Sequence, residues 1–217
     1  MFYGMQKSFG NFKGALAIVT NGLLLIQFPI AHSFLLSHRG KKLLNYLGPK
    51  KLARNLSTTS FTIVASVQLL ALFMLWSPSK IVYSMPFEFL VYLLPVLYFL
   101  SWTLLIFATI DAGLEVQSGA LGWISVLTNK SPVFPPLPTN GLYTIIRHPI
   151  YASFFLAVVT VPSWTADQII VSLILGGYCV FAPILKDRRL IKRHGQNYIK
   201  YKNITPYMIP NKKLKKT

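Results

Sequence analysis

The chain has 217 residues, of which 53% are hydrophobic and only 12% charged, and its mean hydropathy is +0.50. Water-soluble domains carry about twice that charged fraction, so the composition argues against a soluble fold and for an integral membrane protein. Five acids, Glu88, Asp111, Glu115, Asp167 and Asp187, stand against 22 Lys and Arg for a net charge of +17; in so apolar a chain that excess suits an anionic lipid face and not nucleic acid.

Five apolar stretches follow in order, at 14–36, 58–76, 86–110, 147–162 and 167–185. The first three approach or exceed the roughly 20 residues that cross about 30 Å of hydrocarbon. The first is too long for the apolar core of a cleaved leader and lacks a clear A-x-A site, so it reads as a retained helix. The fourth is short: Pro162 ends it, and it nearly spans only if Arg147 and His148 begin it. "PSWTADQ" joins it to the fifth, and Thr165 with Gln168 has capping-box spacing, which predicts a new helix there and a tight antiparallel hairpin. The expected fold is all-α: one domain over 1–217, a polytopic membrane bundle of about five helices with a C-terminal hairpin, a cytoplasmic cofactor pocket and a basic tail over 186–217.

The basic residues set an orientation. Arg39, Lys41, Lys42, Lys50, Lys51 and Arg54 follow the first span, and eleven Lys or Arg lie between Lys186 and Lys216. The positive-inside rule puts both segments in the cytoplasm. The four spans between them return the chain to one side, which leaves the N-terminus outside; a bacterial inner membrane is the expected location. The terminal "NKKLKKT" resembles an endoplasmic-reticulum retrieval signal but reads as a plain solvated tail. The single cysteine, Cys179, sits in an apolar run, so neither a disulfide framework nor a CxxC metal site is expected.

Chemistry concentrates near "GLYTIIRHPIY" and, beyond the hairpin, "KDRRLIKRHGQNYIKYKNITPYMIP". Before the first lies "NKSPVFPPLPTNG", whose prolines preclude a continuous helix and mark a loop where function is usual. Together these stretches resemble the isoprenylcysteine carboxyl methyltransferase superfamily of membrane enzymes. That pattern is Arg-His-Pro-x-Tyr, a helical hairpin, Glu-Glu-x-x-Leu, Phe-Gly-x-x-Tyr-x-x-Tyr and a terminal Ile-Pro. Arg147, His148, Pro149 and Tyr151 match the first part, and Asp187, Leu190, Gly195, Tyr198, Tyr201, Ile209 and Pro210 the second. "AHSFLLSHRGKKLLNYLGPKKLARNLSTTSF" is similar to the N-terminal half of membrane methyltransferases that act on small thiols such as methanethiol. Two positions depart: Lys186 replaces the first Glu, reversing its charge, and His194 replaces the Phe.

The resemblance implies S-adenosylmethionine bound from the cytosol, a lipophilic acceptor entering from the bilayer, and methyl transfer at their meeting point. Arg147 and His148 are the expected catalytic residues, with Arg147 suited to the donor's carboxylate and His148 to a proton. Cofactor contacts are expected from Tyr143, Arg147, His148, Pro149, Tyr151, Asp187, Tyr198, Tyr201 and Glu115, the tyrosines on adenine or the sulfonium. His32, polar and within the first span, is the substrate-side candidate. Asp111 and Glu115 have the i, i+4 spacing of one helix face, and neutralising nearby lysines is the plainer reading of both. The acceptor is a small thiol or a prenylcysteine-type carboxylate, and no metal is expected. Two alternatives remain: an NADPH-dependent membrane reductase of related fold, and a non-catalytic basic protein binding anionic lipid or a partner. P-loop and Rossmann glycine patterns, HExxH and GxSxG are absent.

Overall fold

The computed structural model describes residues 1–47, Pro49 and 51–210; Lys50 of the first basic loop and the "NKKLKKT" tail lie outside them. The described chain is helical, with one isolated antiparallel bridge between Val82 and Thr165. Its elements are α1 (Gly14–Leu35), α2 (His38–Leu44), α3 (Ser57–Leu75), α4 (Glu88–Asp111), α5 (Leu114–Gln117), α6 (Ala120–Leu127), a 3₁₀ turn (Gly141–Thr144), α7 (Pro149–Val159), α8 (Ala166–His194) and α9 (Gln196–Ile204).

Four of these helices, α1, α3, α4 and α8, are long and apolar enough to cross a membrane. Their apolar side chains remain largely exposed, as with Ile18, Phe99 and Leu173. That is the surface expected of helices whose solvent is hydrocarbon. The protein is an all-α, polytopic integral membrane protein. The short α7 has 11 residues, about 16 Å of helix, well under the hydrocarbon thickness. It begins at Pro149, with His148 as its N-cap, so Arg147 and His148 form its entrance and not its first turn.

The chain divides into two compact units. The first comprises Met1–Tyr83, Gly113–Pro136 and Ser163–Ile169. In it α1 packs on α3, and within the apolar pair Gln68 Nε2 donates to Gln27 Oε1 at 2.8 Å while Gln27 Nε2 donates to the Gln68 backbone carbonyl at 3.1 Å. Asp167 is buried and accepts from Trp76 Nε1 (3.0 Å), from Ser79 N (2.9 Å) and Oγ (2.7 Å), and from Gln6 Nε2 (3.2 Å). The Gln168 N–H donates to Thr165 Oγ1 at 3.0 Å, capping the start of α8 as the spacing predicts.

The second unit comprises Ser84–Ala112, Leu137–Pro162 and Ile170–Thr217. Within it α4 packs along α7, and Ser101 Oγ lies 3.4 Å from Thr160 Oγ1. The expected hairpin is present here: Ser172 Oγ donates to the Val158 carbonyl (2.6 Å), Gly176 faces the Phe155 ring, and Lys186 reaches Tyr151, so the α7 and α8 partners run in opposite order. The apolar run stops at Leu185, but α8 does not; it carries Lys186 and Asp187 on to His194 as helix, so the first residues of the basic 186–217 segment continue α8 and are not tail. Pro183 lies inside α8 and removes one backbone bond without ending it. Lys192, Arg193 and His194 occupy the last turn, where cations complement the helix dipole.

Candidate active site

Every member of this cluster belongs to the second unit. Its position begins with the end of α4. Asp111 is the last helical residue, and its Oδ2 accepts from the Leu142 N–H at 2.8 Å, fixing the 3₁₀ turn. Gly141 opens that turn at φ +57°, and a Cβ there would fall on the Asp111 carboxylate, so glycine is required for both conformation and space. The turn sends the chain into Arg147, His148 and Pro149. Pro149 stands at the first position of α7, where a missing N–H costs nothing.

Arg147 is buried and ties this corner to the end of α9. Its backbone N–H donates to the Pro206 carbonyl (2.8 Å), and Nη1 donates to those of Lys202 (2.7 Å) and Thr205 (3.3 Å). A guanidinium there satisfies carbonyls a helix terminus leaves open. Nη2 lies 3.3 Å from Asp187 Oδ2, and the guanidinium stacks over the Tyr207 ring at 5.5 Å.

Asp187, projected from α8, is the hub. Oδ1 takes the Tyr198 hydroxyl and lies 2.9 Å from His148 Nε2; Oδ2 faces Arg147 and, at 3.8 Å, the half-exposed Lys202 ammonium. A buried carboxylate is tolerated only with such compensation. The Tyr201 hydroxyl donates to the Tyr143 carbonyl at 2.7 Å, and the Tyr207 hydroxyl to the Val180 carbonyl at 2.7 Å. His148 packs edge-on against Tyr207, with centroids 5.0 Å apart.

Burial pushes the His148 imidazole below its usual range, with the neighbouring Asp187 carboxylate opposing. Burial also raises the phenols of Tyr143 and Tyr198, and brings Tyr201 to about 12. All three stay protonated donors. Four buried polar atoms of this corner, Tyr143 Oη, Arg147 Nε and both ring nitrogens of His148, have no well-aligned hydrogen-bond partner in the described chain, although His148 Nε2 lies 2.9 Å from Asp187 Oδ1. Such atoms call for an explanation.

Of the expected residues, Tyr143, Arg147, His148, Pro149, Tyr151, Asp187, Tyr198 and Tyr201 come together in this unit. The Asp187 oxygens and both terminal nitrogens of Arg147 are engaged by the chain. Glu115 and His32 belong to the first unit. Glu115 lies on α5, and His32 sits between the rings of Phe28 (5.0 Å) and Phe61 (4.9 Å). Asp111 and Glu115 do not share one helix face: α4 ends at Asp111, and Gly113 at φ +88° turns the chain before α5. Asp111 serves the Gly141 turn instead of neutralising lysine. Lys202 and Tyr207 were missed as candidates, although both lie in the motif-bearing C-terminal stretch. Among the described residues no group of three or more His, Cys, Asp or Glu could hold a metal.

The fold and this corner define a polytopic membrane protein with a polar, hydrogen-bonded cluster between the entrance to α7 and the end of α9. The chain is similar over most of its length to proteins named methanethiol S-methyltransferase. It is 25% identical to that of Pseudomonas deceptionensis over 212 residues, which is 96% of this chain and 79% of the relative. It is 27% identical to methanethiol S-methyltransferase 1 of Bradyrhizobium diazoefficiens over 195 residues, 89% of this chain and 67% of the relative. A Crocosphaera subtropica methanethiol S-methyltransferase is 26% identical over 198 residues, 89% of this chain and 74% of its own. These similarities are consistent with the isoprenylcysteine methyltransferase-like superfamily. No protein-family model matches the chain, and no solved structure does.

Proposed function

We propose that this protein is an S-adenosylmethionine-dependent methyltransferase acting on a small lipophilic thiol at the cytoplasmic face of the membrane. The similarity to methanethiol S-methyltransferases over 96% of the chain carries this reading. The polar corner supports it. Its unpartnered polar atoms suit a ligand rich in carboxylate, hydroxyl and ammonium groups, so the residues present fit the donor. When bound, that donor supplies an electrophilic methyl on a sulfonium.

The chain's own contribution is alignment, which is worth several kcal/mol in a bimolecular transfer. Arg147 Nε and Tyr143 Oη are donors for the carboxylate end. His148 Nδ1 is held by the ring's contact with Asp187 as a fixed polar group facing the same ligand. Asp187, braced by Tyr198, keeps Arg147 and His148 in place, and Tyr201 holds the backbone at Tyr143. The tyrosine-rich wall, Tyr151 included, provides a dry aromatic surface for a cation.

A thermal-shift series on detergent-purified protein tests this. S-adenosylmethionine and its demethylated product should each raise the melting temperature, NADPH should not, and methanethiol should then be methylated. Stabilisation by NADPH alone would point to reductase chemistry. No response to any of the three, with salt-sensitive binding to anionic vesicles, would instead mean a non-catalytic lipid-binding protein.

A further inference from the structure

Lys186 is a cation of this unit whose charge, among the described residues, directly contacts only an aromatic ring. It is half-buried, and among the described residues it makes no ion pair or hydrogen bond; its ammonium lies 5.7 Å from the centroid of the Tyr151 ring. The adjacent Asp187 attracts it through space but makes no ion pair with it. Successive residues on a helix point about 100° apart, and the Asp187 oxygens face Arg147, His148, Tyr198 and Lys202. The charged and titratable groups acting on Lys186 are His148 and Tyr151 from the α7 side and Asp187 and Arg189 on its own helix. Arg189 adds positive charge, so nothing in this set offers Lys186 a free carboxylate. A half-buried ammonium left this way is costly unless an anion joins it.

The geometry points to Lys186 as the counter-charge that holds the acceptor as a thiolate, and so as a specificity-determining residue. This rests on the thiol methyltransferase reading and deepens it. A free thiol is mostly protonated at neutral pH, and a neighbouring cation draws it toward the reactive thiolate. On binding, the thiol S–H gives its proton to solvent. The sulfur lone pair then forms the new S–CH₃ bond, while the methyl–sulfonium bond breaks and leaves its electron pair on the donor sulfur. The Tyr151 face beneath the ammonium fixes the cation where the acceptor meets aromatic wall.

The deciding experiment titrates propane-1-thiol calorimetrically into full-length protein saturated with demethylated donor, in two buffers of different ionisation enthalpy. The wild type should release about one proton per thiol bound. Lys186→Met should release almost none and bind the thiol about tenfold more weakly at neutral pH, and Lys186→Arg should restore both. Equal proton release from the wild type and Lys186→Met overturns the proposal, as does the absence of thiol binding in the wild type. A tenfold loss of affinity for the demethylated donor in Lys186→Met, with thiol binding unchanged, also overturns it and assigns the ammonium to the donor's carboxylate. Failure of the wild type to bind the donor at all would defeat the thiol methyltransferase reading itself, whereas the other adverse results would leave that reading standing.

Discussion

Asp187 does more for this protein than a cofactor contact would require. One buried carboxylate joins Arg147, His148, Tyr198 and Lys202, which come from the α7 entrance and from α9. Removing it leaves Arg147 buried without its counter-ion. Asp187→Ala should therefore cost about 3 kcal/mol of stability, read as a lower unfolding midpoint, and donor affinity should fall with it. An unchanged midpoint would show that the cluster is not structural. His148 gives a second test. Because burial holds its folded pKa below the ordinary 6.5, the unfolded chain takes up a proton as pH falls through 6.5 while the folded one resists. The contribution is complete above that pH and is lost progressively below it. The melting temperature should decline from neutral pH towards acid, and His148→Gln should flatten the decline. An equal acid slope in both proteins would contradict the assignment.

The 3₁₀ turn between α4 and α7 shows how local chemistry aims a site. Asp111 accepts from Leu142, and Gly141 yields space to that carboxylate. Gly141→Ala combines a left-handed backbone with a collision, so a loss of about 1–3 kcal/mol is expected. Asp111→Asn retains an acceptor oxygen and should cost less. Both are read by thermal unfolding, and a donor titration should show weaker binding for Gly141→Ala, because Tyr143 and Arg147 follow directly. The α7–α8 hairpin has a different origin: Pro162 stops one helix, and the Thr165 hydroxyl caps the next.

The protein is a membrane bundle whose long helices expose apolar side chains, and its charge excess lies in the connections and the C-terminal stretch. The positive-inside rule still proposes one cytoplasmic face for the 39–54 segment and the C-terminal stretch. Single cysteines placed at Lys42 and Lys200, in a Cys179→Ala background, test it with a membrane-impermeant thiol reagent. Both should resist labelling in intact cells and react in inverted vesicles. Labelling of one of them from outside would reverse the orientation or change the number of crossings. The short α7 makes this informative, because 11 helical residues do not span the hydrocarbon unaided.

The long helices were legible in the linear chain because a bilayer imposes a one-dimensional requirement: enough consecutive apolar residues to cross it. The hairpin was legible for a similar reason, since Pro162, Thr165 and Gln168 act within a few residues of one another. The grouping of Arg147, His148, Pro149 and Tyr151 was also local. The continuation of α8 to His194 was not legible, because loss of hydropathy marks the edge of an apolar run and not the end of a helix. Nor was the link from Asp111 to Leu142, which spans 31 positions, or the enlistment of Lys202 and Tyr207. The engagement of Asp187 depends on α7, α8 and α9 meeting at one point. Which side chains a carboxylate satisfies is set by that convergence in space, and spacing along the chain does not encode it.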